Sequence, residues 1–364
     1  MDMQQFVPFH DGIETRRPEE DEAIDGIIET MISESRKVTG REHRAVRASH
    51  AKSSGIVKGV FEVPEGLPAP FAQGICARPG RYDVLARFAQ GPGEVLPDKV
   101  STHRGCALKL FGVRGPKLPG HHDDTQDFVL ATGPVFPDPD AMSFLKSIRN
   151  IERNVERSDG LKAAVSAVAR VANDVVKSVK GSDVPVLDFF GHAPAHPLAE
   201  SYHSQAALRW GNAVAKVAIF PVSPGLQALA GETLDVKSDP DVFRRAVGDW
   251  FRGNEARFEF RVQLCTDLDA MPVEDASVPW PEDRSPYVTV ATLSFPPQDA
   301  LSPARLMFVE ERMSFRPAHA LEAHRPLGSL MRARLKVYGA MAAFRQNDNG
   351  SVPQEPATLA AVPD

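Results

Sequence analysis

An imidazole and a phenol are the groups in this chain whose spacing to their neighbours could do chemistry. His50 follows Arg47 by three residues and opens a stretch of small residues with Gly55 and Gly59, after which Val60, Phe61, Glu62 and Val63 alternate in polarity. That alternation reads as a strand. An imidazole held at the mouth of a strand can take a proton from a bound ligand and return it. Far along the chain, Arg334 precedes Tyr338 by four residues within a helical pattern running from 330 to 344. One helical turn brings the guanidinium to the phenolic oxygen, where it favours the anion. A third cluster, His121, His122, Asp123 and Asp124, sets four potential metal ligands in a row. Sequence neighbours rarely converge on one ion, so no metal site is expected there.

The elements that must hold these groups are mixed. Strand patterns cover residues 81–88, 104–111, the end of 121–130, 213–222, 258–264 and 288–295. Residues 19–38 have helical spacing, with Ile24, Ile27, Ile28, Met31 and Ile32 on one face and charges ordered acidic to basic, as the helix dipole favours. From 140 to 180 the period lengthens in two helical runs, broken near Ser158, Asp159 and Gly160. The first carries Met142, Phe144, Leu145 and Ile148. The second, with Ala164, Val165, Val168, Val171, Val175 and Val179, is rich in valine and needs tertiary contacts. Residues 242–247 read as a helix and 324–328 as a turn, while His203 and Gln205 read as braces of the fold. The polar stretch 347–364 is expected to fray.

Composition narrows the function classes. At 364 residues the chain can build one large domain or two ordinary ones, and 42% apolar with 25% charged residues is ordinary for a soluble globular protein. A net charge of -6 gives no electrostatic reason to expect nucleic acid or an anionic membrane as partner. No apolar run approaches the ~18 residues that span a bilayer. The start of the chain lacks the basic and apolar segments of a secretory signal, so a cytoplasmic location is expected. Three distant cysteines, Cys76, Cys106 and Cys265, argue against a disulfide framework. With 31 prolines and 26 glycines the chain should be loop-rich, as a large β-barrel with long excursions would be.

Several of these segments, in order, resemble catalases. Arg47, His50, Ala51 and Lys52 leading into Phe61, Glu62 and Val63 resemble the distal haem segment of that family, with Ser53 standing for a glycine and the loop about one residue longer. Arg87 with Phe88, and the strand opened by Arg104 and Gly105, resemble two family strands. Thr125, Phe128, Phe136 and Pro137 match a further motif without a gap. Glu311, Phe315 and Pro317 are followed by Arg334, Tyr338 and Arg345 at the family's spacings. The likeness spans about residues 40 to 345 and is to short catalase-related haem proteins without the C-terminal flavodoxin-like domain.

The resemblance implies an α+β fold: a catalase-like antiparallel β-barrel with helical excursions and a C-terminal helical segment. It divides the chain into an N-terminal arm and helix (1–39), a haem-binding domain (40–346) and a flexible tail (347–364). It implies haem b, with Tyr338 as iron ligand and Arg47, Arg87, Phe128, Phe136, Arg334 and Arg345 as cofactor-binding residues. His319 and His324 are the alternative ligands. His50 is the implied acid–base residue, and Asp123 takes the place of the asparagine that holds peroxide. A carboxylate cannot donate to peroxide unless protonated, and Ala89 replaces the serine that supports the distal imidazole. The expected protein is therefore a peroxide-using oxidoreductase, a catalase-related peroxidase with weak catalase activity. Its substrates would be hydrogen peroxide or an organic hydroperoxide with a small organic donor, and it would form a homo-oligomer; in catalases the N-terminal arm and helix contact a neighbouring subunit, and the alternative here is a helix packed on its own domain. Other readings of the same residues are a hydrogen peroxide-disproportionating catalase, a haem enzyme rearranging fatty-acid hydroperoxides, a non-catalytic haem sensor or carrier, and a haem-free scaffold.

Overall fold

A strand that buries one face alternates, and the stretch Ala256–Leu264 does so: Phe258, Phe260, Val262 and Leu264 are fully buried between the less buried Arg257, Glu259 and Arg261. The computed structural model describes residues 6–152, 162, 164–170, 172–173 and 190–364. Its strands are β1 (Ser53–Val63), β2 (Gly80–Gln90), β3 (Arg104–Phe111), β4 (Thr125–Thr132), β5 (Tyr202–His203), β6 (Leu208–Trp210), β7 (Ala213–Pro221), β8 (Ala256–Leu264) and β9 (Val288–Phe295). Every pairing is antiparallel, in the order β5-β4-β3-β2-β1-β9-β8-β7-β6, and β5 also pairs with β7 through Tyr202↔Ile219 and His203↔Ala218. That last pairing closes eight strands into a barrel and leaves β6 as an added strand on β7. Closure removes the exposed edges that an open sheet would present.

The barrel is filled by its own side chains. Phe61 and Phe128 meet Phe260 at ring-centroid distances of 5.2 and 4.9 Å, and Phe88, Tyr202 and Leu108 are fully buried beside them. A space packed in this way holds no ligand. Gly55 and Gly59 lie within β1 and not in a loop before it. The additional residue of that segment is taken up by a register shift between Ser53 and Gly55. Gly59 is required by close approach, since a Cβ there would stand 2.4 Å from the Ser294 carbonyl oxygen of β9.

Beside the helical residues 164–170, six α-helices are defined among the described residues: α1 (Glu20–Glu42), α2 (Ala141–Glu152), α3 (Pro224–Ala228), α4 (Val242–Phe251), α5 (Pro303–Glu311) and α6 (Ser329–Asp348). The isoleucine face of α1 packs within its own chain: Ile24 and Ile27 are fully buried with Ala141 of α2 and Ala333, Val337 and Met341 of α6. Arg332 of α6 clamps the buried Glu20 through Nε (2.6 Å) and Nη2 (2.7 Å). The first helical run expected after residue 140 is α2. Of the second, residues 164–170 are helical, yet Val168 is 69% exposed and the face turned inward carries Ser166 and Ala169. Val171, Val175 and Val179 lie outside the described residues. The expected flexible tail, 347–364, is instead anchored: Ser302 Oγ and Arg305 Nε donate to the carbonyls of Asp364 (2.5 Å) and Pro363 (3.1 Å), and Val362 is buried. Among the described residues no helix is long and apolar enough to cross a membrane.

Candidate functional site

Strand parity decides what faces out of the barrel. Phe88, Leu108, Phe128 and Leu130 point inward, so Arg87, Ala107, Val129 and Ala131 stand on the outer face. Helices α1, α2 and α6 cover that face and leave a cavity of about 210 Å³ between themselves and β2–β4. Its side toward α1 and α2 is apolar, with Ile27, Met31 and Phe144. No aspartate or glutamate lines it among the described residues; its charged groups are Arg47, Arg87, Arg334 and Arg345.

His50 enters the cavity from just before β1. Its backbone is in the left-handed region (φ 56°), which costs a non-glycine residue on the order of 1 kcal/mol. Two hydrogen bonds hold it there: His50 N–H donates to the Gly91 carbonyl (2.9 Å), and Arg87 Nη2 donates to the His50 carbonyl (2.6 Å). The imidazole lies over Gly105 of β3, where a Cβ would come within 2.7 Å of Cε1. Burial first, then His103, Arg87 and Arg334, push the His50 pKa well below its ordinary range, against the raising effect of a hydrogen bond that the ring donates to the Gln90 backbone carbonyl. The ring is therefore neutral at neutral pH and free to accept a proton.

At one end of the cavity the arginines share a single carboxylate. Glu310, on α5, accepts from Arg47 Nε (2.8 Å), Arg87 Nε (2.8 Å) and Ser53 Oγ. Burial alone would raise its pKa, but the Arg87 and Arg47 guanidiniums outweigh burial and hold it far below the carboxylate range. Arg345, on α6, is 4% exposed; it donates through Nη2 to the Met313 carbonyl (3.1 Å), and its Nε is buried without a partner. Burial first, then repulsion by Arg47 and Arg87, lowers its pKa to about 9, with Glu310 opposing. Arg47 and Arg87 are thus paired with Glu310, while Arg345 has no carboxylate hydrogen-bonded to it and feels Glu310 and Glu311 only through space.

The opposite wall is α6. Arg334 Nη2 donates to the Tyr338 hydroxyl (3.2 Å) and to the Val129 carbonyl of β4 (3.1 Å), which ties the helix to the barrel. Tyr338 and His50 both line the cavity, one from the helix wall and one from the strand side. Phe136 also lines it, edge-on to Phe144 at 5.4 Å.

Two expected site residues lie elsewhere. Asp123 is exposed on the turn before β4 and does not line the cavity. The register explains why: Thr125 pairs with Phe111, whereas the strand position beside His50 is Ala131, the partner of Gly105. Six residues of strand, about 20 Å, separate those ends. Phe128 is likewise displaced from the cavity by parity, since it belongs to the barrel interior and its neighbour Val129 faces the cavity. His319 pairs with Asp127 (3.2 Å), and His324 accepts from the Ile75 N–H (3.0 Å); neither lines the large cavity. Gln205 does line it, with its amide donating to the Thr132 and Val135 carbonyls (3.1 and 2.9 Å). His103 and Glu310 belong to the site without any motif in the sequence to mark them. The only local signals were that one abuts the Arg104-Gly105 strand and the other precedes Glu311.

Comparison by sequence finds no matching family model and no matching curated protein. Solved structures do match across nearly the whole chain. A fungal catalase aligns with 95% of this chain and 66% of its own at 18% identity and a TM-score of 0.59. Catalase A from Saccharomyces cerevisiae aligns with 97% of this chain and 72% of its own at 18% identity and a TM-score of 0.57. A bacterial catalase aligns with 96% and 66% at 15% identity and a TM-score of 0.58. The chain thus spans just under two thirds of the fungal and bacterial catalases. With its closed eight-stranded antiparallel barrel and surrounding helices, this chain has the catalase fold.

Proposed function

We propose that the chain is a haem-dependent, peroxide-using oxidoreductase, a catalase-related peroxidase with weak catalase activity. The observation that carries this reading is the single cavity with the Arg334–Tyr338 pair on one side and a neutral, backbone-locked imidazole on another. The residues fit haem b. Its propionates would be held by the guanidiniums of Arg47, Arg87 and Arg345, and the unpartnered Arg345 Nε supplies a donor for one of them. Val129, Phe136, Leu330 and Met341 supply the apolar surface that a macrocycle needs. Tyr338 would ligate the iron, with Arg334 stabilising its phenolate. When bound, haem supplies the electron transfer by which peroxide is reduced.

The chain's own residues handle binding and protons. His50 takes the proton from the near oxygen of a bound peroxide and delivers it to the departing oxygen, converting a poor leaving group into water or an alcohol. Arg87 keeps the imidazole in place through the His50 carbonyl. Weak catalase activity follows from Ala131: the strand position beside the His50 site has a methyl group and no amide to orient a second peroxide. A small organic donor entering the apolar side of the cavity then becomes the reductant.

The test is the absorption spectrum of protein expressed with haem precursor, for the native chain and Tyr338→Phe. A Soret band with ferric tyrosinate character that disappears in the variant supports the reading. A spectrum indifferent to the substitution moves the ligand elsewhere, and no Soret band removes haem from the proposal.

A further inference from the structure

The cavity holds a second imidazole. His103 stands just before β3, and its ring meets that of His50 edge-on, centroids 5.3 Å apart and planes at 77°. Each ring sits where a residue on the neighbouring segment lacks a Cβ. A Cβ at Gly105 would be 2.7 Å from Cε1 and 2.8 Å from Nδ1 of His50; one at Gly91 would be 2.6 and 2.7 Å from the same atoms of His103. Gly91 also supplies the carbonyl that holds the His50 N–H. The two rings are thus seated by one reciprocal arrangement at the junction of β1, β2 and β3, and both line the cavity.

We propose that His103 is the proton partner of His50, taking up the proton that His50 collects from a ligand and handing it back. The proposal rests on the acid–base reading of His50 given above. Apart from the Tyr338 oxygen and the Cys106 thiol, whose pKa burial pushes up, these two imidazoles are the only titratable proton acceptors lining the cavity among the described residues. The Nδ1 of His50 is buried with no protein partner, which leaves that nitrogen available for a proton. A ring with one nitrogen left open suits a group that receives a proton and passes it on. The surroundings keep the pair to one proton at a time: Arg87 from β2 and Arg334 from α6 face His50 with positive charge, while α1 and α2 contribute the apolar Ile27, Met31 and Phe144. The exchange is balanced, since imidazolium at position 50 and imidazole at 103 become imidazole and imidazolium, with no net change of charge.

The experiment is a histidine titration by NMR of the purified chain, native and with His103→Gln, alongside the pH profile of peroxide turnover. A working pair titrates as one coupled unit, so the His50 signal moves in two steps in the native chain and in a single step in the variant. Turnover should fall at least tenfold, with the acid limb of the pH profile displaced. A single-step His50 titration indifferent to His103→Gln, or a pH profile identical to the native one, would overturn the proposal. A loss in His50→Gln that His103→Gln does not share would leave His50 as the acid–base group and remove His103 alone.

Discussion

Replacing Glu310 by glutamine should reveal how far the arginine end of the cavity depends on one carboxylate. In the native chain Glu310 is 18% exposed and neutralises part of the charge of Arg87 (5% exposed) and Arg47 (12%). Breaking a buried ion pair by removing one partner typically costs 3–5 kcal/mol, because the other charge is left uncompensated. Glutamine keeps the volume and can still meet Ser53 Oγ, so the lower end, about 3 kcal/mol, is expected. For a chain of this size that corresponds to a thermal midpoint lower by roughly 4 °C. The pH dependence gives a second check. Two guanidiniums hold the folded carboxyl far below its unfolded value of about 4.3, so its stabilisation is complete above that pH and is lost as pH falls below it. The stability gap between native and variant, measured by urea unfolding, should be constant from pH 7 to about 5 and narrow below about 4. Equal stability at pH 7, or a gap that does not narrow on acidification, would refute the reasoning.

Gly105→Ala should displace the His50 ring, since the new methyl would stand 2.7 Å from Cε1. Peroxide turnover should fall roughly tenfold or more while urea unfolding shifts by no more than about 2 kcal/mol, as the cavity gives the ring room to move. Ala131→Asn places an amide on the strand position paired with Gly105, beside His50. Oxygen evolution from hydrogen peroxide should rise at least severalfold relative to donor oxidation; an unchanged ratio would show that this position does not control the second peroxide.

Much of the fold is legible in the primary structure because it follows short-range periods. Alternation marks β8 and β9 almost to the residue, and the spacing of Ile24, Ile27 and Met31 marks α1. The Arg334–Tyr338 contact is legible for the same reason: a helix brings residues four apart together whatever surrounds it. Residue types and spacing mark His50, and the resemblance to catalases implies Arg47, Arg87, Phe136 and Arg345; all of them line the cavity.

Only the tertiary structure decided what depends on pairing between distant strands. Register makes Ala131, not Asp123, the neighbour of the His50 site, and parity turns Phe128 into the barrel while Val129 faces out. A shift of one residue would reverse every such assignment, and nothing local in the sequence fixes it. Glu310 reaches Arg87 across 223 positions, and His103 meets His50 only because Gly91 and Gly105 let the two rings sit between adjacent strands. The chain's local periods thus determine which elements form and which groups they carry, while barrel closure determines which of those groups share one cavity.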